Sequence, residues 1–415
     1  MIRDKQNLEQ DEWKLINMRK VEHLLGAEFI HNLYNRHLPR INSIRFRNTR
    51  VEWKDGIVLS YAPKSEWEFL ETLVAQRYKM GDPYIIEQTR EMMKVDRTHI
   101  NKLEDDFHEI NFFECEIIKL VNTLIDIQDK VLGELYQVNL VQIERALYTA
   151  IDQKLKEEGY YEKYGESLLS QLITTDEKTE FQKEEEDFEV IIKKIKEGML
   201  IDEYSILLNA HYKKYSGMHC AYGESPYSLD YYKEKMERSL SNVSLEKQDI
   251  LKDSNTIDLI LDEKLKELII LMREVGTFRD YNKARLGKIV AIKFTIFDAI
   301  SQRLNIKRED LNFYLLSELL TLLIDKNFVS HQIIYERKQQ GIVFIRSEYL
   351  CIQETLLPTM QKYEHRTTIK TTCASKGVVS GLARIVLSKE DAKRVLNGDI
   401  MIAIGTDFDL MDAIQ

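Results

Sequence analysis

Along most of the chain, apolar residues recur every three or four positions, the period of an amphipathic helix. The first forty residues carry one such period, Val21, Leu24, Leu25, Phe29, Ile30 and Leu33, ending near Pro39. The pattern then switches to alternation. In "INSIRFRNTRVEWKDGIVLSYAP", Ile44, Phe46, Val51, Trp53, Ile57, Leu59 and Tyr61 alternate around a "KDG" turn, which predicts a β-hairpin over 44–61. From Glu66 the helical period returns, and no proline interrupts it between Pro83 and Pro226. Ile117, Leu120, Val121, Leu124, Ile125, Leu132, Leu135 and Tyr136 mark one buried face, for which a core stripe is sufficient explanation. The run Asp176–Gly198 mixes both charge signs at helical spacing and reads as an exposed helix face. A second tract, 227–357, continues the helices. It carries Leu286, Ile289, Val290, Phe297, Ile300 and Leu304 on one stripe.

Near Thr367 the period shortens again to strand, turn and short helix. This predicts a mainly α protein of two parts: a large helical domain with the hairpin, 1–365, and an incomplete α/β segment, 366–415. In that segment the apolar residues Ile385, Val386, Ile400, Ile402 and Ile404 are expected to lack cover, because the segment holds too few strands to close a core.

Composition fits this picture: the chain has five prolines, sixteen glycines and many Leu, Ile, Glu and Lys residues. A net charge of −10 argues against nucleic acid as a partner. No run of about 18 apolar residues is present, so no membrane span is expected. Cys115, Cys220, Cys351 and Cys373 form no CxxC pair, which predicts reduced thiols and a cytoplasmic protein without a structural metal.

Chemistry-bearing residues cluster in "HYKKYSGMHCAYGES", where His219 and Glu224 share one loop with Tyr215. A histidine and a carboxylate so placed can orient or deprotonate a hydroxyl, or can tie down an irregular loop. Arg273, Arg279 and Arg285 fall on one predicted helix, where spacings of six keep all three from sharing a face. Each can meet phosphate in bidentate fashion or pair on the helix surface. Ser330–His331 stands on a helical stretch and reads as a helix histidine. No GxxxxGK[ST] loop and no GxGxxG after a strand occurs, so the 415 residues show no nucleotide-binding motif.

The last forty residues resemble the opening of the swivelling phosphohistidine domain of phosphoenolpyruvate-utilising enzymes, such as phosphoenolpyruvate synthase, pyruvate phosphate dikinase and rifampicin phosphotransferase. Gly377, Gly381, Ala383 and Arg384 match its "G-x-A-x-G-x-A-R/K" run, Gly398 and Asp399 its "G-D-I-L-V" strand, and Thr406 its following turn, with Phe408 in place of a usual proline. Tyr215, Gly217, His219 and Glu224 resemble the "YG-x-R/H…E" element of the family's helical central domain. Arg273, Glu274, Arg279 and Arg285 resemble its "RE…R" helix.

The resemblance implies a phosphotransferase component, in which ATP phosphorylates a histidine on a mobile domain and that histidine delivers the phosphoryl group to a small-molecule acceptor. Substrate-binding candidates are Tyr215, His219, Glu224, Arg273 and Arg279. ATP and Mg²⁺ would be bound by a separate ATP-grasp-type polypeptide. The catalytic histidine, in a "G-G-x-x-S-H-A" segment, is expected after Gln415, so the 415 residues alone are expected to be inactive. The alternative from another class is a non-catalytic helical interaction or regulatory protein that kept the fold.

Overall fold

The computed structural model of the chain describes residues 12–36, 48–79, 81–131, 138–165, 167–175, 177–220, 223–241, 256–346, 351–355, 379–386, 389–392, 394–396 and 398–403. The chain forms two compact units, Met1–Pro358 and Thr359–Gln415.

The first unit is mainly helical, as its apolar periods dictate. A strand, β1 (Trp13–Lys20), precedes helix α1 (Leu24–Arg36). The hairpin follows as β2 (Thr49–Lys54) and β3 (Ile57–Pro63), turning at Asp55 and Gly56, both at positive φ. That two-residue turn sets the parity by pairing Lys54 with Ile57. The face of Val51 and Trp53 therefore continues through Val58, Ser60 and Ala62, while Ile57 and Leu59 lie on the other face. Ile44 and Phe46 lie outside the described residues.

The hairpin is not isolated. It is the centre of a five-stranded antiparallel sheet in the order β1-β3-β2-β4-β5, completed by β4 (Ile342–Arg346) and β5 (Cys351–Thr355). The sequence reading placed 13–20 in the helical period of the first forty residues and 342–355 in a helical tract, and both readings are corrected here. "IVFIR" follows Gly341 and is rich in β-branched residues, so its short apolar run suits a strand buried beside β2. Trp53 locks the sheet to its surroundings: its indole donates to Val21 O at 2.8 Å, and its ring meets Phe313 edge-on at 5.5 Å.

The helices begin where capping residues stand. Asp82 caps α3 (Pro83–His108), with Pro83 in the first turn. α2 (Lys64–Lys79) precedes it, and α4 (Ile117–Ile125) follows. Leu120, Val121 and Leu124 of the predicted stripe are buried, whereas Ile117 is exposed and Leu132, Leu135 and Tyr136 lie outside the description. Straight after α4 the backbone widens into a π-helical turn, Asp126–Val131. The chain continues through α5 (Val138–Glu157), α6 (Tyr160–Tyr164), α7 (Leu168–Ile173), α8 (Glu180–Lys196), α9 (Ile201–Tyr215), a 3₁₀ turn (Ser216–His219) and α10 (Leu229–Ser241).

The long axis of the unit is α11 (Glu263–Leu304), 42 residues from the Asp262 cap to Asn305 in the left-handed region. Leu286, Ile289, Val290, Phe297 and Ile300 are buried on it as predicted. The short helix α12 (Arg308–Leu311), then α13 (Leu316–Asp325) and α14 (His331–Gln340), lead back to β4. Ser330 accepts Ile333 N–H as the cap of α14, so the Ser330–His331 pair opens a helix on the surface.

In the second unit, β6 (Ala383–Val386) and β7 (Ile400–Ala403) pair in parallel, with the short helix α15 (Lys389–Ala392) between them. Val386, Ala392, Val395, Met401 and Ala403 form its small core, so Val386 is covered, contrary to the sequence reading. Ile385 and Ile402, register partners across the two strands, are 69% and 51% exposed. Ile404 is outside the described residues.

Among the described residues, no helix is long and apolar enough to cross a membrane. Cys115 and Cys220 are free thiols.

Candidate functional site

Helices α8, α9 and α10 pack around Phe188, Ile192, Leu208, Tyr232 and Met236. Their shared face also carries buried polar and charged side chains. Three of its members sit at core-register positions. Glu184 lies four residues before Phe188, and His211 lies three after Leu208 and four before Tyr215. Tyr232 is buried four residues before Met236. The mixed-charge run of α8 is therefore not only a solvated face, because Glu184 turns inward. His211 Nε2 donates to Glu184 Oε1 at 3.0 Å in the buried interior. Lys235 spans Glu184 (3.4 Å) and Glu185 (2.8 Å) and lies 4.6 Å from the Phe188 ring centre. Burial pushes the Glu184 carboxyl up, but the hydrogen bond from His211 and the charge of Lys235 outweigh it and hold the group ionised.

Tyr215 closes α9. Its hydroxyl donates to Asp187 Oδ2 at 2.5 Å, and Lys214 Nζ donates to the same oxygen at 2.8 Å while lying over the Tyr215 ring. Hydrogen bonds from Lys214 and Tyr215 keep the Asp187 carboxyl below its usual range. Lys214 and Asp187 are both about half exposed, so this corner of the network faces solvent.

The 3₁₀ turn that follows wraps tightly against α11. A Cβ at Gly287 would stand 2.4 Å from Met218 O, so this close approach requires glycine. His219 stacks near Tyr227 (4.3 Å between ring centres) and Phe181 (5.4 Å). Burial pushes its pKa down to about 3, against the attraction of Glu184. At neutral pH it is a neutral imidazole, suited to orienting a group rather than to holding a positive charge. The charges that act on it come from Glu184, Lys235 and Lys283, whereas Glu224 acts on Cys220. His219 thus feels the charges of the α8–α10 network.

Arg273 and Arg279 are not brought to Tyr215 and His219. Arg273 Nε donates to Leu172 O at 2.6 Å, and Arg279 pairs with Glu144. Arg285 pairs with Glu104 at 2.7 Å and lies 3.8 Å from Glu180. The three guanidinium groups face different neighbours, as spacings of six require.

A second buried polar cluster lies on α11 itself. Lys293 falls three residues after Val290 and four before Phe297, on the predicted core stripe, and is 1% exposed. Its ammonium donates to Gln128 Oε1 at 3.3 Å; Gln128, in the π-helical turn, donates in turn to Leu25 O at 3.0 Å. Such turns recur at functional positions because they re-aim one side chain out of helical register. Burial pushes the Lys293 pKa down to about 7, with Cys220 and Glu28 drawing it the other way. Burial pushes the Cys220 thiol up. Neither Lys293, Glu184, His211, Asp187 nor Tyr232 was singled out from the sequence. The signal was available, since a polar residue in register with a core stripe is unlike a residue on a solvated face.

In the second unit, Gly381 and Gly398 meet directly. A Cβ on Gly381 would lie 2.1 Å from Gly398 O. Ala383 opens β6, and Arg384 Nε donates to Asp399 Oδ2 at 2.8 Å across the strand pair. The Asp399 carboxylate also caps Leu396 N–H at 2.9 Å. Gly377 and Thr406 lie outside the described residues.

Compared with known proteins, the chain matches no family model and no curated protein.

Proposed function

We propose that the helical unit is the acceptor-binding component of a phosphoryl-transfer system of the phosphoenolpyruvate-synthase type. The observation that carries this reading is the strand–helix–strand at 383–403. Its strands pair in parallel, its two motif glycines touch, and Arg384 bonds Asp399. This is how an α/β swivelling domain would open.

In this reading ATP and Mg²⁺ are bound by another polypeptide, and a histidine nitrogen of the swivelling domain takes the γ-phosphoryl group. The acceptor, a small hydroxyl-bearing molecule, binds at the open corner of the α8–α10 network. There the Lys214 ammonium faces the transferring phosphoryl oxygens, and the Asp187 carboxylate accepts the acceptor hydroxyl. The P–N bond breaks as the P–O bond forms, and the hydroxyl proton leaves to the carboxylate or to water.

The test is labelling with [γ-³²P]ATP and Mg²⁺, of the chain alone and mixed with the polypeptides encoded beside it. Acid-labile label appearing only in the mixture is the expected result. Label on the chain alone, or none in the mixture, contradicts the reading.

A second reading, a non-catalytic interaction protein, draws on one specific observation. Arg273, Arg279 and Arg285 are all engaged within the helical unit. An unlabelled mixture favours it.

A further inference from the structure

The segment before α1, the 3₁₀ turn and the middle of α11 meet along one seam, and two bases are enclosed there. His23 is fully buried; its Nδ1 accepts Gly26 N–H at 2.8 Å. That bond fixes the proton on Nε2, which has no hydrogen-bond partner among the described residues. Nε2 faces Gly223, whose Cβ, if present, would stand 3.3 Å away. Lys293, the other base, has its one hydrogen bond to Gln128, and no ion pair reaches it among the described residues. The carboxylates nearby make hydrogen bonds to other groups. Glu22 takes the Ser225 hydroxyl, and Glu28 accepts Leu316 N–H at 2.8 Å while attracting Lys293 without pairing with it. Of the other charged or titratable groups around the seam, Arg308 bonds Asp298 at 2.7 Å and acts on His23, as Lys293 does. Cys220 feels Glu224, Glu22 and Lys293.

A proton taken up by either base puts an unpaired positive charge into a dry, mostly apolar seam. Such a charge is hydrated only if the seam opens. The 3₁₀ turn and Gly223 line one side of the seam, which Glu22 N–H crosses to Gly223 O at 3.1 Å.

We propose that Lys293 and His23 form a proton-operated latch, which holds the 3₁₀ turn and Gly223 against α11 while both bases are neutral and releases them on protonation. The inference stands whether or not the chain transfers phosphoryl groups.

Linkage gives the direction. With the seam open, Lys293 titrates near 10.4, as in a free chain; with it closed, near 7. The closed-to-open ratio therefore falls about tenfold per pH unit on descent from 10 toward 7, then levels. His23, lowered mainly by burial, adds a second fall below about 6.5.

The test is amide hydrogen exchange of the full chain between pH 9.5 and 5.5, read as protection factors, so that intrinsic pH effects cancel. The reporters are the N–H groups of Glu22, Cys220 and Gly223, each bonded within the seam. Amides of the β2–β3 hairpin serve as the reference. Protection of the three reporters should fall at least tenfold between pH 9.5 and 7.5 while the hairpin holds. Lys293→Met, apolar and of similar reach, should abolish that fall and keep the one below 6.5. Three results overturn the latch. They are reporters indifferent to pH, reporters that lose protection in step with the hairpin, and a Lys293→Met profile identical to wild type. The first two need no variant at all.

Discussion

The α8–α10 network and the α11 seam use the same kinds of residue and treat them in opposite ways. In the network, charged groups come in partnered sets: Glu184 with His211 and Lys235, and Asp187 with Lys214 and Tyr215. Burial there is offset by hydrogen bonds to the charged form, and the carboxyls stay ionised. In the seam, Lys293 and His23 are mostly enclosed by apolar groups, Lys293 with one long bond to Gln128 and His23 with one bond from Gly26 N–H, and neither has an ion pair among the described residues. There desolvation dominates, and the neutral form is favoured. The difference teaches that partner count, not residue type, decides whether a buried base is an anchor or a switch.

The strongest way to break this comparison is Lys293→Met. If the seam lysine is a desolvated base, replacing it with an apolar chain stabilises the protein at pH 7 by about 1–4 kcal/mol. Denaturant unfolding should show the midpoint rising. The gain should shrink toward pH 10, because the wild-type chain then loses its proton in both states and carries no burial cost.

The converse substitution in the network should go the other way. Glu184→Ala leaves His211 and Lys235 without their shared acceptor inside the α8–α10 core. It should cost about 1–3 kcal/mol in the same measurement.

His219 belongs to the network yet is lowered by burial as the seam bases are, and its titration tests that exception in acid. The folded-state pKa of His219 is near 3, below the unfolded value of about 6.5. Between these values the unfolded chain binds the extra proton, so stability falls as pH drops from 6.5 toward 3. Thermal midpoints of His219→Gln should lose part of that slope, and those of wild type should show it in full.

The smallest effect belongs to the surface pairs. Arg279→Ala breaks the pair with Glu144 at a partly exposed position, and calorimetry should register a loss under about 1 kcal/mol. A larger loss would mean that the α11 arginines do more than brace helices.

The helical character and the hairpin were legible in the sequence because both rest on local period. The stripe of Leu286, Ile289, Val290, Phe297 and Ile300 is buried on α11 as read. What escaped is what depends on contacts distant in sequence. β1 and β4 join a sheet whose centre lies tens to hundreds of residues away, so no local period announces their partners. The hairpin's inward face on β3 depends on the turn's parity, and Ile57 and Leu59 fall on the other side.

The candidate site divides in the same way. Tyr215 and His219 do belong to one buried network, but their partners, Glu184 and Asp187, come from another helix. The charged run containing them looked uniformly solvated. Arg273 and Arg279 were read either as phosphate binders or as helix-surface pairs, and the fold turns one toward a carbonyl and the other toward a carboxylate. Lys293 was in plain view on a core stripe, and only its register set it apart.

The contrast between paired and desolvated bases is tested most directly by the titration of Lys293 itself. Lysine ¹³Cε chemical shifts, followed by NMR from pH 5.5 to 11 in wild type and in Lys293→Met, read the proton on each ammonium. One resonance should titrate near pH 7 and be missing from the variant, with the other lysines titrating near 10 or above. If every lysine resonance of the folded wild-type protein titrates near 10 or above, Lys293 is a paired or hydrated cation. The distinction between the two regions then fails.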